Sequence, residues 1–289
     1  MHDVTAIYWI KNEARYMPEW IEFHLLQGYD HFILYDNKST DKLLEVAKPY
    51  LDAKLLEIRY YPPELTTSKN FWLAIQCLQE QVGKSRWLDF RSLDERTFCP
   101  TGQQVPDFLK DYEEYGGVAV AWEEFAFNGH ITRPKGLLIE NYTQTAKDFG
   151  HHIKTIVHPG CAIQFETPHN YTYHAGWYTV NENYRKTPRP FMHDDYTFNK
   201  IKAHHYNTLS EEEFNVKMNK GGLDCGPQTE DVRREQADRI WKYMHGQDPE
   251  YGDTIFGYND ELVKWTPIVR EAIHLRFKNY EHLLEDINH

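Results

Sequence analysis

Three short polar groups stand directly after apolar runs: Lys11-Asn12-Glu13, Asp36-Asn37 and Ser92-Leu93-Asp94-Glu95. Their side chains suit a polar, charged ligand. An ammonium such as Lys11 pairs with phosphate as a point charge. A carboxylate at a strand end, such as Asp36, accepts hydrogen bonds from a base or ribose. Lys154 falls inside a strand-like run, so its charge points either to solvent or into a site. Asn37, Ser39 and Asp41 also fit plain turn building and helix capping.

The elements that must position these groups alternate. Val4 to Ile10 reads as a buried strand. Met17, Trp20, Ile21, His24 and Leu25 then recur at helical spacing, with Pro18 near the start and Gly28 just past the end. His31 to Tyr35 is the next strand. A helix capped by Ser39 or Thr40 follows and is expected to stop at Lys48, before Pro49. Lys54 to Tyr60, a helix over Lys69 to Gln81, and a strand from Arg86 to Phe90 complete the series. Such alternation builds a parallel sheet covered on both faces, with ligands at the carboxyl ends of its strands. The three polar groups are therefore expected to share one crevice.

Beyond Pro100 the rhythm changes. Val105 to Tyr115 reads as a helix, and Gly117 to Trp122, Gly136 to Tyr142, His152 to Val157 and Ala162 to Glu166 read as strands. Thr208 to Asn219 is an amphipathic helix opened by Ser210, and helices dominate from Pro227 onward. The division expected is 1–225 as one unit with halves 1–100 and 101–225, and 226–289 as a helical extension.

The formal charge of -12 over 289 residues argues against a nucleic-acid partner, which needs a basic face. No apolar run approaches the roughly 20 residues of a membrane span, and no signal peptide precedes the first strand. Cys77, Cys99, Cys161 and Cys225 have no zinc spacing and read as free thiols. His151, His152 and His158 invite a zinc reading, but strand alternation would split His151 from His152 across two faces.

The run from Ile10 through Lys11-Asn12-Glu13-Ala14-Arg15-Tyr16 to Trp20-Ile21-Glu22-Phe23-His24 resembles the opening of glycosyltransferase family 92. So does His31-Phe32-Ile33-Leu34-Tyr35-Asp36-Asn37-Lys38-Ser39-Thr40-Asp41. The likeness continues in Trp122 to Arg133, in His152 to Val157, and in His205-Tyr206 followed by Ser210 to Phe214. The resemblance implies a GT-A type, Rossmann-like, mostly parallel α/β sheet, and an inverting sugar transfer from a nucleotide sugar to a glycan or glycolipid hydroxyl. It also implies a uridine-linked donor and a divalent metal, manganese or magnesium. Animal members are Golgi membrane proteins. This chain lacks their anchor and looks like a compact cytoplasmic relative of bacterial or viral type.

The family usually carries Asp-x-Asp-Glu-Phe after the fourth strand; here the stretch is Ser92-Leu93-Asp94-Glu95-Arg96. Leu209 stands where relatives often carry Lys. Expulsion of a nucleoside diphosphate needs positive charge or a metal. Asp94 is the hard oxygen ligand for manganese or magnesium, and the resemblance adds His205. Lys11, Asn12, Glu13, Asp36, Asn37, Ser92 and Lys154 are the candidates for the nucleotide sugar. Inversion needs a base for the acceptor hydroxyl. Glu124 is favoured, ahead of Glu95 and Asp195, with Glu123, Glu166 and Asp194 as further carboxylates. Trp122 and Trp177 offer flat faces to a sugar ring. Two other readings stand beside transfer: a catalytically weak glycan binder that lost its metal through Ser92, and another nucleotide-dependent enzyme such as a nucleotidyltransferase.

Overall fold

The structure, a computed structural model, describes residues 1–61, 67–146, 152–167, 169–187, 195–219, 234–235, 238–242 and 256–285. The first half runs β1 (His2–Ile10), α1 (Met17–Leu26), β2 (His31–Asp36), α2 (Leu43–Asp52), β3 (Leu56–Tyr60), α3 (Thr67–Gln81) and β4 (Ser85–Phe90). These strands lie side by side in the order β3-β2-β1-β4, all parallel. Alternation along β1 and β2 sorts their side chains to two faces. Val4, Ala6, Ile10, Phe32 and Leu34 join the core beneath α1 and α2, while Ile7, Ile33 and Tyr35 pack with Leu73 and Cys77 of α3. Helices thus cover both faces, as expected for an α/β sheet.

Helix α1 ends in a Schellman turn. Gly28 N–H donates to Leu25 O and Tyr29 N–H to His24 O, both at 3.0 Å, with Gly28 at φ +91°. A Cβ at Gly28 would meet Pro106 Cδ at 2.7 Å, so the turn requires glycine for space as well as for φ.

The second half adds β5 (Glu95–Phe98), α4 (Val105–Leu109), β6 (Gly117–Glu124), α5 (Leu138–Asn141), β7 (Gln144–Ala146), β8 (Ile153–Val157), β9 (Ala162–Thr167), β10 (Asn170–Tyr173), β11 (Thr179–Val180), β12 (Lys202–His205), α6 (Glu211–Asn219), β13 (Phe256–Tyr258) and α7 (Thr266–Arg276). The sheet continues past β4 as β8-β6-β12-β5, with β11 beside β6. Here it becomes mixed: β8 runs antiparallel between β4 and β6, β12 is parallel to β6, and β5 is antiparallel to β12. β13 pairs antiparallel with β7, and α7 lies on α1. Around that contact Trp265 meets Phe23, Arg276 Nε lies 3.0 Å from Glu22 Oε1, and Phe277 meets Tyr50 of α2.

Several expectations are corrected. Helix α2 runs through Pro49 to Asp52, because the continuing turn buries Pro49 and Tyr50 against the core. Neither Ser39 nor Thr40 caps it. Ser39 Oγ accepts from Asn12 N–H, and Asp41 Oδ2 accepts from Ala14 N–H, so these side chains fasten the β1–α1 loop instead. The expected strand over Gly136 to Tyr142 is the short helix α5, whose Leu138 and Ile139 N–H groups donate to Glu19 of α1. The expected helix over Val105 to Tyr115 is α4 followed by a 3-10 turn at Lys110–Tyr112. Beyond Pro227, the described residues include the strand β13 as well as helix. Cys77, Cys99 and Cys161 are free and buried; Cys225, His151 and Asp194 lie outside the described residues. Among the described residues no helix is long and apolar enough to cross a membrane.

Candidate active site

Strand direction decides which residues meet. β1, β2, β4, β6 and β12 end at one edge of the sheet, and β5 and β8, running the other way, begin there. Lys11 to Glu13, Asp36, Asn37, Ser92 to Glu95, Glu124, Lys154 and His205 therefore all reach the same edge. Register does the finer placement: His205 stands opposite Glu124 on one side and Glu95 on the other. Neighbours in register point to the same face.

One ligand atom from each of Asp94, Glu95 and His205 lies within 4.8 Å of the others. His205 Nδ1 is 2.9 Å from Glu124 Oε1, and its Nε2 faces Asp94 Oδ2 at 3.9 Å. Burial alone would push the imidazole pKa down. Glu124, then Asp94 and Glu95, outweigh it and hold the pKa above the usual value. The Trp122 ring covers His205 at 4.2 Å between centroids, which fixes the imidazole from a third side.

Asp94 is likewise held. Its Oδ2 accepts from Lys217 Nζ at 2.8 Å, while its buried Oδ1 has no hydrogen-bond partner among the described residues. Burial would raise its pKa, but Lys217 and His205 keep the carboxyl below the ordinary value. Glu95 is more tightly bound: Lys154 Nζ reaches Oε1, and Arg91 Nη1 reaches Oε2 at 2.8 Å. Against its burial, Lys154 and Arg91 drive the carboxyl far below the usual range. Arg91 continues the chain to Asp89 at 2.9 Å, and Asp89 accepts from Tyr29 OH at 2.6 Å. Buried charges persist only when paired in this way. Lys154 Nζ also donates to Ser92 Oγ at 2.9 Å, so Ser92 serves as an acceptor for that ammonium.

These groups fit a divalent cation. Asp94 brings an orphaned buried oxygen, and His205 brings an imidazole whose second nitrogen is fixed by a carboxylate, the usual support for a metal-bound histidine. Carboxylate with imidazole suits manganese. Glu95, engaged by two cations, is the least available of the three.

The remaining candidates hold the edge loops together. Asn12, at φ 54°, accepts from Thr40 N–H through Oδ1. Asp36 Oδ1 accepts from Ser39 N–H at 2.8 Å, and Asn37 Nδ2 donates to Tyr61 O at 2.8 Å. Lys11 is half-buried directly after β1. Asp195 is exposed, paired with Arg185 at 2.8 Å, and takes no part in the Asp94–Glu95–His205 cluster. Glu123 belongs to a different group, with His204, Glu261 and Asn259, where Lys202 Nζ lies 2.9 Å from Glu123 and 2.6 Å from Glu261.

A cleft of about 270 Å³ opens beside Asp94, lined among others by Tyr8, Asn12, Glu13, Arg15, Arg133 and Lys217. Arg15, Arg133 and Lys217 were not among the expected site residues. Arg15 and Arg133 lie within the motif-bearing runs, but nothing in their spacing marks them as neighbours. Lys217 is seven residues past Ser210, and only the fold of α6 against the β4–β5 loop brings it to Asp94.

A family model described as glycosyltransferase family 92 matches residues 4–223. A family 92 protein of Ricinus communis is 26% identical over 136 residues, covering 47% of this chain and 24% of that protein. One of Oryza sativa subsp. japonica is 26% identical over 145 residues, covering 49% and 24%. The match thus spans about a quarter of the length of these relatives. Among solved structures, S. aureus TarS 1-349 aligns with 85% of this chain and 71% of its own at 12% identity and a TM-score of 0.38. Its complex with UDP-GlcNAc aligns at 10% identity, 86% and 74% coverage, and a TM-score of 0.39.

Proposed function

We propose that this chain, which belongs to glycosyltransferase family 92, moves a sugar from a nucleotide-sugar donor to a hydroxyl of a glycan or glycolipid. The donor that family resemblance favours is a uridine diphosphate sugar. The observation that carries the proposal is the meeting of Asp94, Glu95 and His205 within 4.8 Å at the sheet edge, beside an open cleft.

In this reading Asp94 and His205 hold a manganese or magnesium ion. When bound, the ion offsets the charge that grows on the departing diphosphate. Glu124 sets the imidazole: with Nδ1–H donated to its carboxylate, Nε2 presents a lone pair toward Asp94. Glu124 is then a positioning residue for the imidazole rather than the base. Glu95 holds Lys154 at the same edge, where the ammonium can meet phosphate as well as Ser92 Oγ. Asn12, Asp36 and Asn37 shape the loops that receive the nucleoside. Residues 1–225 are read as the catalytic unit and 226–289 as an extension, of which helix α7 packs on α1.

Two observations favour a second reading. Ser92 stands where the family usually has Asp, and Lys217 Nζ already touches Asp94. A site built this way would bind nucleotide or glycan without a metal and turn over weakly or not at all. Release of UDP from a panel of uridine diphosphate sugars, measured with manganese and with chelator on the wild type and Asp94→Ala, separates the two. Manganese-dependent release lost in Asp94→Ala supports transfer. Equal, low release under all conditions supports the binding-only alternative.

A further inference from the structure

Glu213 lies under the same cleft and is crowded with donors. Tyr16 OH donates to its Oε1. Tyr142 OH at 3.0 Å, Ser210 N–H at 3.2 Å and Ser210 Oγ–H at 2.7 Å all donate to its Oε2. Glu213 N–H returns a bond to Ser210 Oγ at 3.3 Å, which closes a capping box at the start of α6. A carboxylate accepts about four hydrogen bonds, and four donors already reach this one.

Two guanidinium groups also face Glu213. Arg15 Nη2 and Arg133 Nε each stand 3.7 Å from Oε1, close enough to feel its charge and too far for a hydrogen bond. Among the described residues, the buried Nε atoms of both arginines have no hydrogen-bond partner. Both side chains also lie against the Tyr16 ring, at 4.7 and 5.7 Å from its centroid, and both line the cleft that holds Asp94. Their side chains are 21% and 24% exposed, so they are partly open to whatever enters. Both guanidinium groups face the single oxygen Glu213 Oε1, and among the described residues neither side chain makes a hydrogen bond. A pair of planar forks in that condition is matched to an oxyanion, which they can bind bidentately.

We propose that Arg15 and Arg133 form an oxyanion subsite in this cleft, taking a phosphate or carboxylate group of a ligand whose other end lies at Asp94. Glu13 and Glu212 line the cleft as well, so the subsite selects by donor geometry rather than by bulk charge. That the oxyanion belongs to a sugar-transfer substrate rests on the function proposed above; the subsite itself does not. The shared chemistry has two sources, the diphosphate of the donor or an acidic group on the acceptor.

Calorimetric titration of the full chain with pyrophosphate, uridine and glucuronate in chelator, and with UDP in manganese, tests the proposal. In Arg15→Gln and Arg133→Gln, pyrophosphate or glucuronate should bind at least about tenfold more weakly while uridine is unchanged. Parallel weakening of UDP assigns the subsite to the donor diphosphate; unchanged UDP with weakened glucuronate assigns it to an acidic acceptor. Arg133→Lys, which keeps charge and removes the fork, should also weaken binding, and it guards against loss of fold in the glutamine variants. Oxyanion binding unchanged in all three variants, or absent from the wild type, overturns the subsite. Arginine-dependent pyrophosphate binding with no response to UDP or uridine leaves the subsite standing and removes the proposed function.

Discussion

His205 Nδ1 sits 2.9 Å from Glu124 Oε1, and the other nitrogen of the same ring looks toward Asp94 Oδ2 at 3.9 Å. The carboxylate thereby fixes which nitrogen carries the proton and which offers a lone pair. A glutamine at 124 that turns its amide N–H₂ to Nδ1 would reverse that choice and put N–H on the ligand side. Glu124→Gln should therefore lower manganese affinity by about 10- to 100-fold with little change in thermal midpoint. Titration of manganese into both proteins measures it, and equal affinities would remove Glu124 from the site.

Lys217 and a metal ion would compete for Asp94. Lys217→Gln removes an ammonium 2.8 Å from Oδ2 and should tighten manganese binding severalfold, while Asp94→Ala should abolish it. The opposite signs are diagnostic. If Lys217→Gln weakens manganese binding, the ammonium supports the site rather than occupying it.

The N-terminal half was legible because its signals are local. β2 is buried at every position, and the polar residues after β1, β2 and β4 reach a shared edge because parallel strands end together. The second half was harder, since its pairings are long-range: β12 lies beside β6, about eighty residues away in sequence, and β8 enters antiparallel. His205 was reached through family resemblance, not through spacing. Arg15, Arg133 and Lys217 come from separate loops and helices, and no short pattern joins them. Gly136 to Tyr142 misled because its apolar residues suit a strand, whereas the backbone donors at Leu138 and Ile139 are satisfied by buried Glu19 in a helical turn. Pro49 misled because a buried tertiary contact outweighed the local stop signal.

Acid should loosen the fold through His24. Its Nδ1 faces Trp20 O at 2.8 Å, and its Nε2 accepts from Thr97 N–H at 3.3 Å, so the neutral ring is satisfied and a second ring proton would meet a donor. Burial, then Arg96, pushes its pKa well down. The unfolded chain takes up this proton more readily, so the stabilisation is fully present above about pH 6.5 and is lost as pH falls toward the folded-state value. Urea midpoints from pH 8 to 5 should fall less steeply in His24→Asn than in the wild type. Parallel curves would assign the acid sensitivity elsewhere.

Two changes far from the edge should cost stability by different means. Gly28→Ala places a Cβ 2.7 Å from Pro106 Cδ at a φ of +91°, an overpacking and backbone penalty of about 1–3 kcal/mol. Phe277→Ala empties the fully buried contact of the C-terminal segment with Tyr50, at about 3–5 kcal/mol. Chemical denaturation measures both. A neutral Phe277→Ala would mean that the extension contributes little to the stability of the sheet beneath it.

Nucleotide binding at the Asp94–His205 edge is tested most directly by thermal melting with UDP, GDP, CMP and dTDP, each with manganese and with chelator, on the wild type and Asp94→Ala. Ligand binding to the folded state raises the midpoint by mass action. UDP with manganese should raise the wild-type midpoint, and chelator or Asp94→Ala should remove the rise. No rise with any of the four nucleotides, with or without manganese, would contradict the assignment of this edge as a nucleotide-sugar site.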